Sequence, residues 1–93
     1  MLNQVVLVGR VTRPLETKKG VSTFTIKVPR PYKNADGIYE DDIIQVHVHE
    51  GMANNLNILE TNCLVGVRGR LSADHGRIRL NAEKISFLSG TAN

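Results

Sequence analysis

The chain has 93 residues, which is enough for one domain and too few for two. Apolar residues make up 41% of it, charged residues 23% and aromatic residues 4%, the composition of a globular protein with few rings available for stacking. No run reaches the roughly 18 apolar residues of a membrane span, and no basic region precedes the first apolar run, so we expect neither a membrane protein nor a secretory signal. Cys63 is the only cysteine, which excludes an intramolecular disulfide and favours a reducing, cytoplasmic setting.

The charge is distributed unevenly along the chain. The net charge is +3, yet residues 1–34 carry +6, residues 35–62 carry −6 and residues 63–93 carry +3. Basic outer thirds around an acidic middle are typical of a protein with a polyanion-binding surface. Plain solvation of these charges is the alternative, and the composition alone does not decide between the two.

The first predicted element is a strand over residues 2–11. Four apolar residues run from Val5 to Val8, and three of them are valine, a β-branched residue that favours strands. Strand alternation points Val5 and Leu7 to one face and Val6 and Val8 to the other. A strand that is apolar on both faces needs cover on both, which a second copy can supply in so small a domain. The predicted oligomer interface comprises Asn3, Val5, Val6, Leu7 and Val8.

Residues 12–41 predict a connection, a strand and a long hairpin loop. Pro and Gly predict a connection over residues 12–20, and alternating apolar residues predict a half-buried strand over residues 21–28. We expect the prolines in residues 29–31 to end that strand. Residues 32–41, rich in turn-forming side chains, then form the loop.

The second half of the chain predicts three more strands and a helix. The strands cover residues 43–49, 64–71 and 77–82, a helix covers residues 51–59, and a short turn lies at residues 73–76. We expect Ile85, Phe87 and Leu88 to extend the last strand or to pack beneath it. The inward-facing residues predicted by alternation are Ile44, Val46, Val48, Val65, Val67, Leu71, Ile78, Leu80 and Ala82.

Five strands with a helix between the third and the fourth predict an all-β fold, the five-stranded OB-fold barrel. We expect the domain to span residues 1–88, with residues 89–93 as a short flexible C-terminus. The outward-facing positions collect Lys27, Gln45, His47, His49, Arg68, Arg70, Arg77 and Arg79. A basic sheet face of this kind can hold a single-stranded nucleic acid, because it offers charge for phosphates and flat groups for bases.

Two segments carry a resemblance to a known family. Residues 1–10, Met-Leu-Asn-Gln-Val-Val-Leu-Val-Gly-Arg, closely resemble the opening of bacterial single-stranded DNA-binding proteins, and residues 65–71, Val-Gly-Val-Arg-Gly-Arg-Leu, continue the match. The resemblance covers essentially the whole chain. It implies an OB-fold that oligomerises through its first strand, with a tetramer favoured and a dimer possible. It also implies sequence-nonspecific binding of single-stranded DNA in DNA replication, repair or recombination.

The resemblance also suggests how bases are held. Members of this family stack aromatic side chains on bases; Tyr32 falls on one such position, and Ile43 and His49 fall on two others, where larger aromatics are usual. We therefore expect Tyr32, flanked by Arg30 and Lys33, to be the main stacking platform, supported by His49. The last residues of this chain differ from the acidic tail with which the family recruits other replication proteins. The sequence therefore leaves open whether this chain binds such proteins.

Twelve residues are the candidate nucleic-acid contacts. They are Arg10, Lys27, Arg30, Tyr32, Lys33, Gln45, His47, His49, Arg68, Arg70, Arg77 and Arg79.

The sequence also fits a protein–protein adaptor. The short chain and residues 80–85 also resemble the primosomal replication protein branch of the same family, a dimeric OB-fold of replication restart that would act as a protein–protein adaptor. A short phage or plasmid variant is a further alternative. The salt dependence of binding separates DNA binder from adaptor, because phosphate contacts release counterions.

Metal binding and catalysis receive little support. His47 and His49 share a strand face and could suggest zinc together with Cys63 or His75, but no ligand pair has the spacing of a zinc knuckle. The adjacent Asp41 and Asp42 point to opposite faces if extended, and no Gly-rich phosphate loop lies between a strand and a helix. We therefore expect no metal, no other cofactor and no enzymatic activity.

Overall fold

The computed structural model describes residues 1–53, 56 and 59–89. Its elements are β1 (Val5–Lys18), β2 (Val21–Lys33), β3 (Tyr39–Val48), α1 (Glu50–Ala53), β4 (Leu64–Asp74) and β5 (Arg77–Ser89). The strands close into a barrel in the order β1-β2-β3-β5-β4, in which β3 and β5 pair in parallel and the other neighbours pair antiparallel. The predicted all-β, five-stranded OB-fold barrel with one short helix between β3 and β4 is confirmed.

The core consists of the apolar side chains that alternate inward on the five strands. The least exposed are Val11, Phe24, Ile26, Val46, Val65 and Val67, and Cys63 is buried with them as a free thiol. The prediction of an inward, buried position is wrong for two residues, since Leu71 is 40% exposed and Ile78 is 75% exposed. The reason is that β4 and β5 continue as a hairpin past the point where β3 pairs with β5, so the inner face of the hairpin loses its cover.

The connection predicted over residues 12–20 is instead part of β1, which runs on to Lys18. Register shifts on either side of Arg13 absorb the extra residues, and Pro14 lies in this irregular stretch, where a missing N–H is tolerated. The turn itself is only Lys19 and Gly20, both with positive φ (51° and 77°), as a two-residue hairpin turn requires.

The prolines of residues 29–31 do not end β2, which continues to Lys33. The register between β2 and β3 shifts between Pro29 and Lys33, so the irregularity is accommodated within the strand pair. The predicted long loop shrinks to residues 34–38, where the side-chain oxygen of Asn34 accepts hydrogen bonds from the backbone N–H groups of Asp36 and Ile38, both at 2.9 Å. Tyr32 therefore lies on a strand and not on a loop.

The helix predicted over residues 51–59 is much shorter, since α1 has only four residues. Leu56 and Leu59 are buried in the core as their spacing suggests, but neither is helical, and residues 54, 55, 57 and 58 of the prediction lie outside the described residues. No helix within the described ranges has the length and apolar character that crossing a membrane demands.

The turn predicted between the last two strands is confirmed in position and is narrower than expected. It consists of His75 (φ 50°) and Gly76 (φ 79°), so that β4 and β5 extend to Asp74 and Arg77. The apolar residues after Ala82 do extend β5. Ser89 is the last residue of that strand, and the remainder of the predicted flexible C-terminus, residues 90–93, lies outside the described part of the chain.

Candidate nucleic-acid interface

A depression of about 540 Å³ lies between the outer face of β3 and the projecting β4–β5 hairpin. It forms because β3 and β5 pair at Val46–Leu80 and His47–Asn81, beyond which the hairpin leaves the barrel wall. We call it the β3 groove; its lining residues are Gln45, His47, Asp74, His75, Arg77, Ile78 and Arg79. Four of the twelve predicted contacts, Gln45, His47, Arg77 and Arg79, are thus brought together.

Two smaller depressions continue the β3 groove at either end. One shares Gln45 with it and extends over β2 to Arg13 and Pro14 in the irregular part of β1. The other shares His47 and Arg79 with it and extends to His49 and Asn81. An open track therefore follows the outer face of β3, which from Ile43 to His49 is about 20 Å long.

Positive charge enters the β3 groove from β5. Arg77 and Arg79 alternate outward, as predicted, and are exposed. Burial, and then the charge of Arg79, lower the pKa of His47 below its ordinary value of about 6.5. Its Nδ1 atom is buried and has no hydrogen-bond partner within the described part of the chain. An anion bound at Arg79 would raise the pKa of His47 again, because its negative charge cancels the repulsion by Arg79 and favours the protonated ring.

Arg70 extends this charged surface along one cross-strand row. Strand register pairs Arg70 with Asn81, Asn81 with His47, and His47 with Thr23, so the four side chains lie on one side of the sheet. Asn81 is held by a hydrogen bond from its Nδ2 to the Ser72 hydroxyl at 2.8 Å. Sequence reasoning missed Asn81, although the same outward alternation that marked Arg77 and Arg79 could have found it.

Arg68 lies elsewhere, on the outer face shared by β4 and β1. It is opposite Val6 on one side and Lys84 on the other. Val6 is 67% exposed and Val8 49% exposed, and Leu88 adds a further exposed apolar side chain close to Gly66. This surface, which we call the β1 outer face (Val6, Val8, Arg68, Leu88), is apolar with a basic rim.

Arg10 and Lys27 meet where β1 and β2 separate. Strand β1 pairs with β4 from Val5 to Arg10 and with β2 from Arg10 onward, so within the described structure its second edge is unpaired from Val5 to Gly9. The depression at this point is about 320 Å³, and we call it the β1–β2 fork; it is lined by Val8, Gly9, Arg10, Lys27, Pro29, Asp41 and Leu64. The Arg10 guanidinium donates to the Asn62 carbonyl at 2.9 Å.

Glycine is required at the apex of the β1–β2 fork. A Cβ atom at Gly9 would lie 2.5 Å from the Lys27 carbonyl oxygen and 3.1 Å from Val28 Cγ2. The close backbone approach is therefore possible only without a side chain at this position.

The remaining candidates, Arg30, Tyr32 and Lys33, lie together near the end of β2. Arg30 donates from Nε and Nη2 to Asp42 Oδ1 at 3.0 and 2.8 Å, and these hydrogen bonds and the Asp42 charge raise its pKa. Tyr32 is 62% exposed, and Lys33 places its Nζ 5.7 Å from the centre of the Tyr39 ring. Tyr39 is 59% exposed, and sequence reasoning missed it, because only the structure shows it paired with Lys33 across the hairpin.

The N-terminal residues before β1 are held by one side chain. Asn3 Nδ2 donates to the Leu71 carbonyl at 2.6 Å, and Asn3 Oδ1 accepts from the Leu71 N–H at 2.9 Å. The amide thus continues the β1–β4 pairing that begins at Val5–Gly69. Met1 and Leu2, which precede it, are fully exposed. Among the residues described, no three His, Cys, Asp or Glu side chains form a group that could hold a metal ion.

Comparison with known proteins adds to this geometry. The model of the family described as "Single-strand binding protein family" matches residues 2–86. The chain is similar to single-stranded DNA-binding protein 3 of Listeria innocua, with 38% identity over 108 residues that cover 100% of this chain and 68% of that protein. It is also similar to single-stranded DNA-binding protein 1 of Staphylococcus aureus (strain COL), with 47% identity over 79 residues that cover 78% and 47%. The chain thus spans about half to two thirds of the length of these relatives.

Solved structures show the same fold at low identity. The yeast mitochondrial protein Rim1 superimposes with a TM-score of 0.74 and 17% identity, covering 97% of this chain and 99% of that one. The Plasmodium falciparum protein solved in complex with single-stranded DNA gives a TM-score of 0.73 and 18% identity, covering 96% of each chain. The curated relatives carry the single-stranded DNA-binding name, which supports that branch of the predicted family over the primosomal one.

Proposed function

Because this chain belongs to the single-strand binding protein family, we propose that it binds single-stranded DNA without strong sequence preference in replication, repair or recombination. The observation that carries the proposal is the β3 groove, an open track with two exposed arginines on its wall. Sequence-tolerant binders need a charged groove that follows the backbone and flat or polar groups for the bases. The groove supplies the charge through Arg77 and Arg79 and the groups for the bases through Gln45 and His47. Asn81 adds a further polar group in the adjoining depression.

The other predicted contacts extend this binding surface in the proposal. Arg70 continues the groove along its cross-strand row, and His49 lies in the depression at one end. Tyr32 and Lys33 offer a ring and a charge at the end of β2. Arg30 contributes less charge than its type suggests, since Asp42 and Glu40 (3.8 Å) already neutralise it. Arg10, Lys27 and Arg68 lie outside the β3 groove, so a strand would contact them only after leaving it.

The salt dependence of DNA binding tests the groove. Each phosphate contact on a single strand contributes about −0.7 to the slope of log affinity against log salt. We expect Arg79→Ala to reduce the steepness by about 0.7 for oligo-dT. Lys84→Ala is the matched control, because it removes one exposed charge from the same strand away from the groove lining. Equal slopes for Arg79→Ala and wild type would remove Arg79 from the DNA track. No binding of oligo-dT by the wild-type protein would overturn the proposal and favour the adaptor function.

We also propose that the protein is a homo-oligomer that pairs β1 across a two-fold axis, a tetramer in preference to a dimer. The unpaired edge of Val5–Gly9 offers backbone hydrogen bonds to a second strand, and the β1 outer face exposes Val6 and Val8. We propose a non-enzymatic role, which membership of a DNA-binding family supports. We also propose a cytoplasmic location, which the buried, free Cys63 supports. Interaction with other replication proteins belongs to the same proposal.

A further inference from the structure

The β1–β2 fork lies outside the β3 groove that carries the DNA-binding proposal, yet it is a depression beside an unpaired strand edge. Its apolar lining comes from Val8, Pro29 and Leu64, with Gly9 at the apex. The carboxylate of Asp41 and the cations of Arg10 and Lys27 surround this lining. A groove of this kind, open on the side from which a second β1 would approach, can receive one apolar side chain of that strand.

The length of the one-sided strand determines how a second copy aligns with it. Pairing with β4 begins at Val5, and the Asn3 amide extends it by two residues through Leu71. Pairing with β2 begins at Arg10 and closes the other edge there. The stretch that is supported on one side and unpaired on the other therefore runs over residues 3–9, whose midpoint is Val6.

Sheet geometry limits the possible registers. In an antiparallel pair, residues directly opposite one another lie on the same side of the sheet. Val6 and Val8 both face outward, so a two-fold pair of β1 strands must centre on a residue and not between two residues. Centring on Val6 pairs the whole of residues 3–9 with its copy, and it places Leu2 of one chain opposite Arg10 of the other, at the fork.

We propose that Leu2 of a second copy of this chain docks into the β1–β2 fork, and that the second copy's fork receives Leu2 in return. Leu2 occupies an even position, like Val6 and Val8, so an extended strand turns it to the outer side where the fork opens. It is 95% exposed in the single chain, and docking gives it the apolar contacts that it lacks. The inference rests on the proposed pairing of β1 strands and specifies its register.

Cross-linking between two singly substituted proteins tests the contact. We would mix Leu2→Cys with Pro29→Cys and treat the mixture with a short bis-maleimide, expecting a cross-linked dimer. Within one chain the two sites cannot meet, because Leu2 lies seven residues, or about 23 Å, from Gly9 along the strand. Leu2→Cys mixed with Val21→Cys is the matched control, since Val21 is exposed at the far end of the β1–β2 hairpin. The natural Cys63 is 4% exposed, and unsubstituted protein measures its background.

A second variant separates the docking from the pairing itself. Val6→Cys, treated with a mild thiol oxidant, should form a disulfide with its own copy if β1 strands pair about Val6. Cross-linking in both experiments supports the inference. Val6→Cys dimers without any Leu2–Pro29 product would overturn the docking while leaving β1 pairing intact. Absence of both products, with a monomer in sedimentation, would overturn the pairing and the docking together. As an independent readout, Leu2→Ala should raise the dimer dissociation constant by at least about tenfold.

Discussion

His47 is the side chain at which the groove's electrostatics can be measured directly. Its pKa is lowered by burial and by Arg79, so protonation is less favourable in the folded chain than in the unfolded one. Its contribution to stability is therefore complete above the ordinary pKa of about 6.5 and is lost as the pH falls through that value toward the lower folded pKa.

The first prediction concerns this pKa. We expect Arg79→Gln to raise the pKa of His47, because it removes a nearby positive charge while the burial of the ring is unchanged. The measurement is an NMR titration of the imidazole protons. Arg77→Gln, an equal change of charge in the same groove, is the control and should shift the pKa less. An unaltered pKa in Arg79→Gln would mean that burial alone depresses it.

Tyr32 carries the second prediction, on base stacking. A stacked base contributes roughly 1–3 kcal/mol, so Tyr32→Ala should weaken oligo-dT binding about 5- to 150-fold, with a nearly unchanged salt slope. Tyr32→Phe keeps the ring and should bind nearly as well as wild type. Because Tyr32 is on a strand with 62% of its surface exposed, its removal leaves the core intact. The affinities are measured by titrating labelled oligo-dT at two salt concentrations. If Tyr32→Ala binds as tightly as wild type at both concentrations, stacking on Tyr32 is excluded.

At the scale of the strands and helix, alternation predicted faces well and boundaries poorly. The opposite faces of Val5 and Val6, and the inward face of Phe24 and Val46, follow from a period of two that the barrel preserves. The strand ends predicted at the prolines are wrong, because a register shift lets a strand continue past a residue without an N–H. No local sequence pattern distinguishes such a shift from a strand end. The helix was overextended because leucine spacing reports burial rather than helicity.

The third prediction compares two glycines of β4. A Cβ at Gly69 would overlap the backbone of Asn81 at the register shift between β4 and β5, whereas one at Gly66 would make ordinary contact with Leu88 Cδ1 at 3.6 Å. We expect Gly69→Ala to destabilise the barrel by about 1–3 kcal/mol, because backbone must move to admit the methyl group. Gly66→Ala should cost much less. Urea denaturation of both variants measures the difference, and equal midpoints would show that the strand pair relaxes freely.

At the scale of the whole molecule, the sequence could identify which residues point outward but not which outward residues are neighbours. Strand alternation predicts Arg68 and Arg79 on one accessible face, since both alternate with apolar or small residues in the sequence. In the closed barrel Arg79 enters the β3 groove, while Arg68 lies beside Val6 on the β1 outer face. Strand order and the projection of the β4–β5 hairpin decide this, and both depend on pairing between distant segments.

The last prediction concerns assembly and follows from that division of the surface. Val6 lies on the unpaired strand edge and is 67% exposed in the single chain, so the barrel tolerates a lysine there. At a β1–β1 contact, however, the lysine would place two like charges together. We expect Val6→Lys to shift the protein toward monomer in sedimentation velocity at micromolar concentration. Its far-ultraviolet circular dichroism should remain that of the wild type.

Val21→Lys is the matched control for this shift, because Val21 is 45% exposed and lies at the far hairpin, away from the β1 outer face. It should leave the assembly unchanged. A wild-type protein that sediments as a monomer would contradict β1 pairing. An oligomer that survives Val6→Lys would place the contact on another surface, and the exposed inner face of the β4–β5 hairpin, with Leu71 and Ile78, would then be the next candidate.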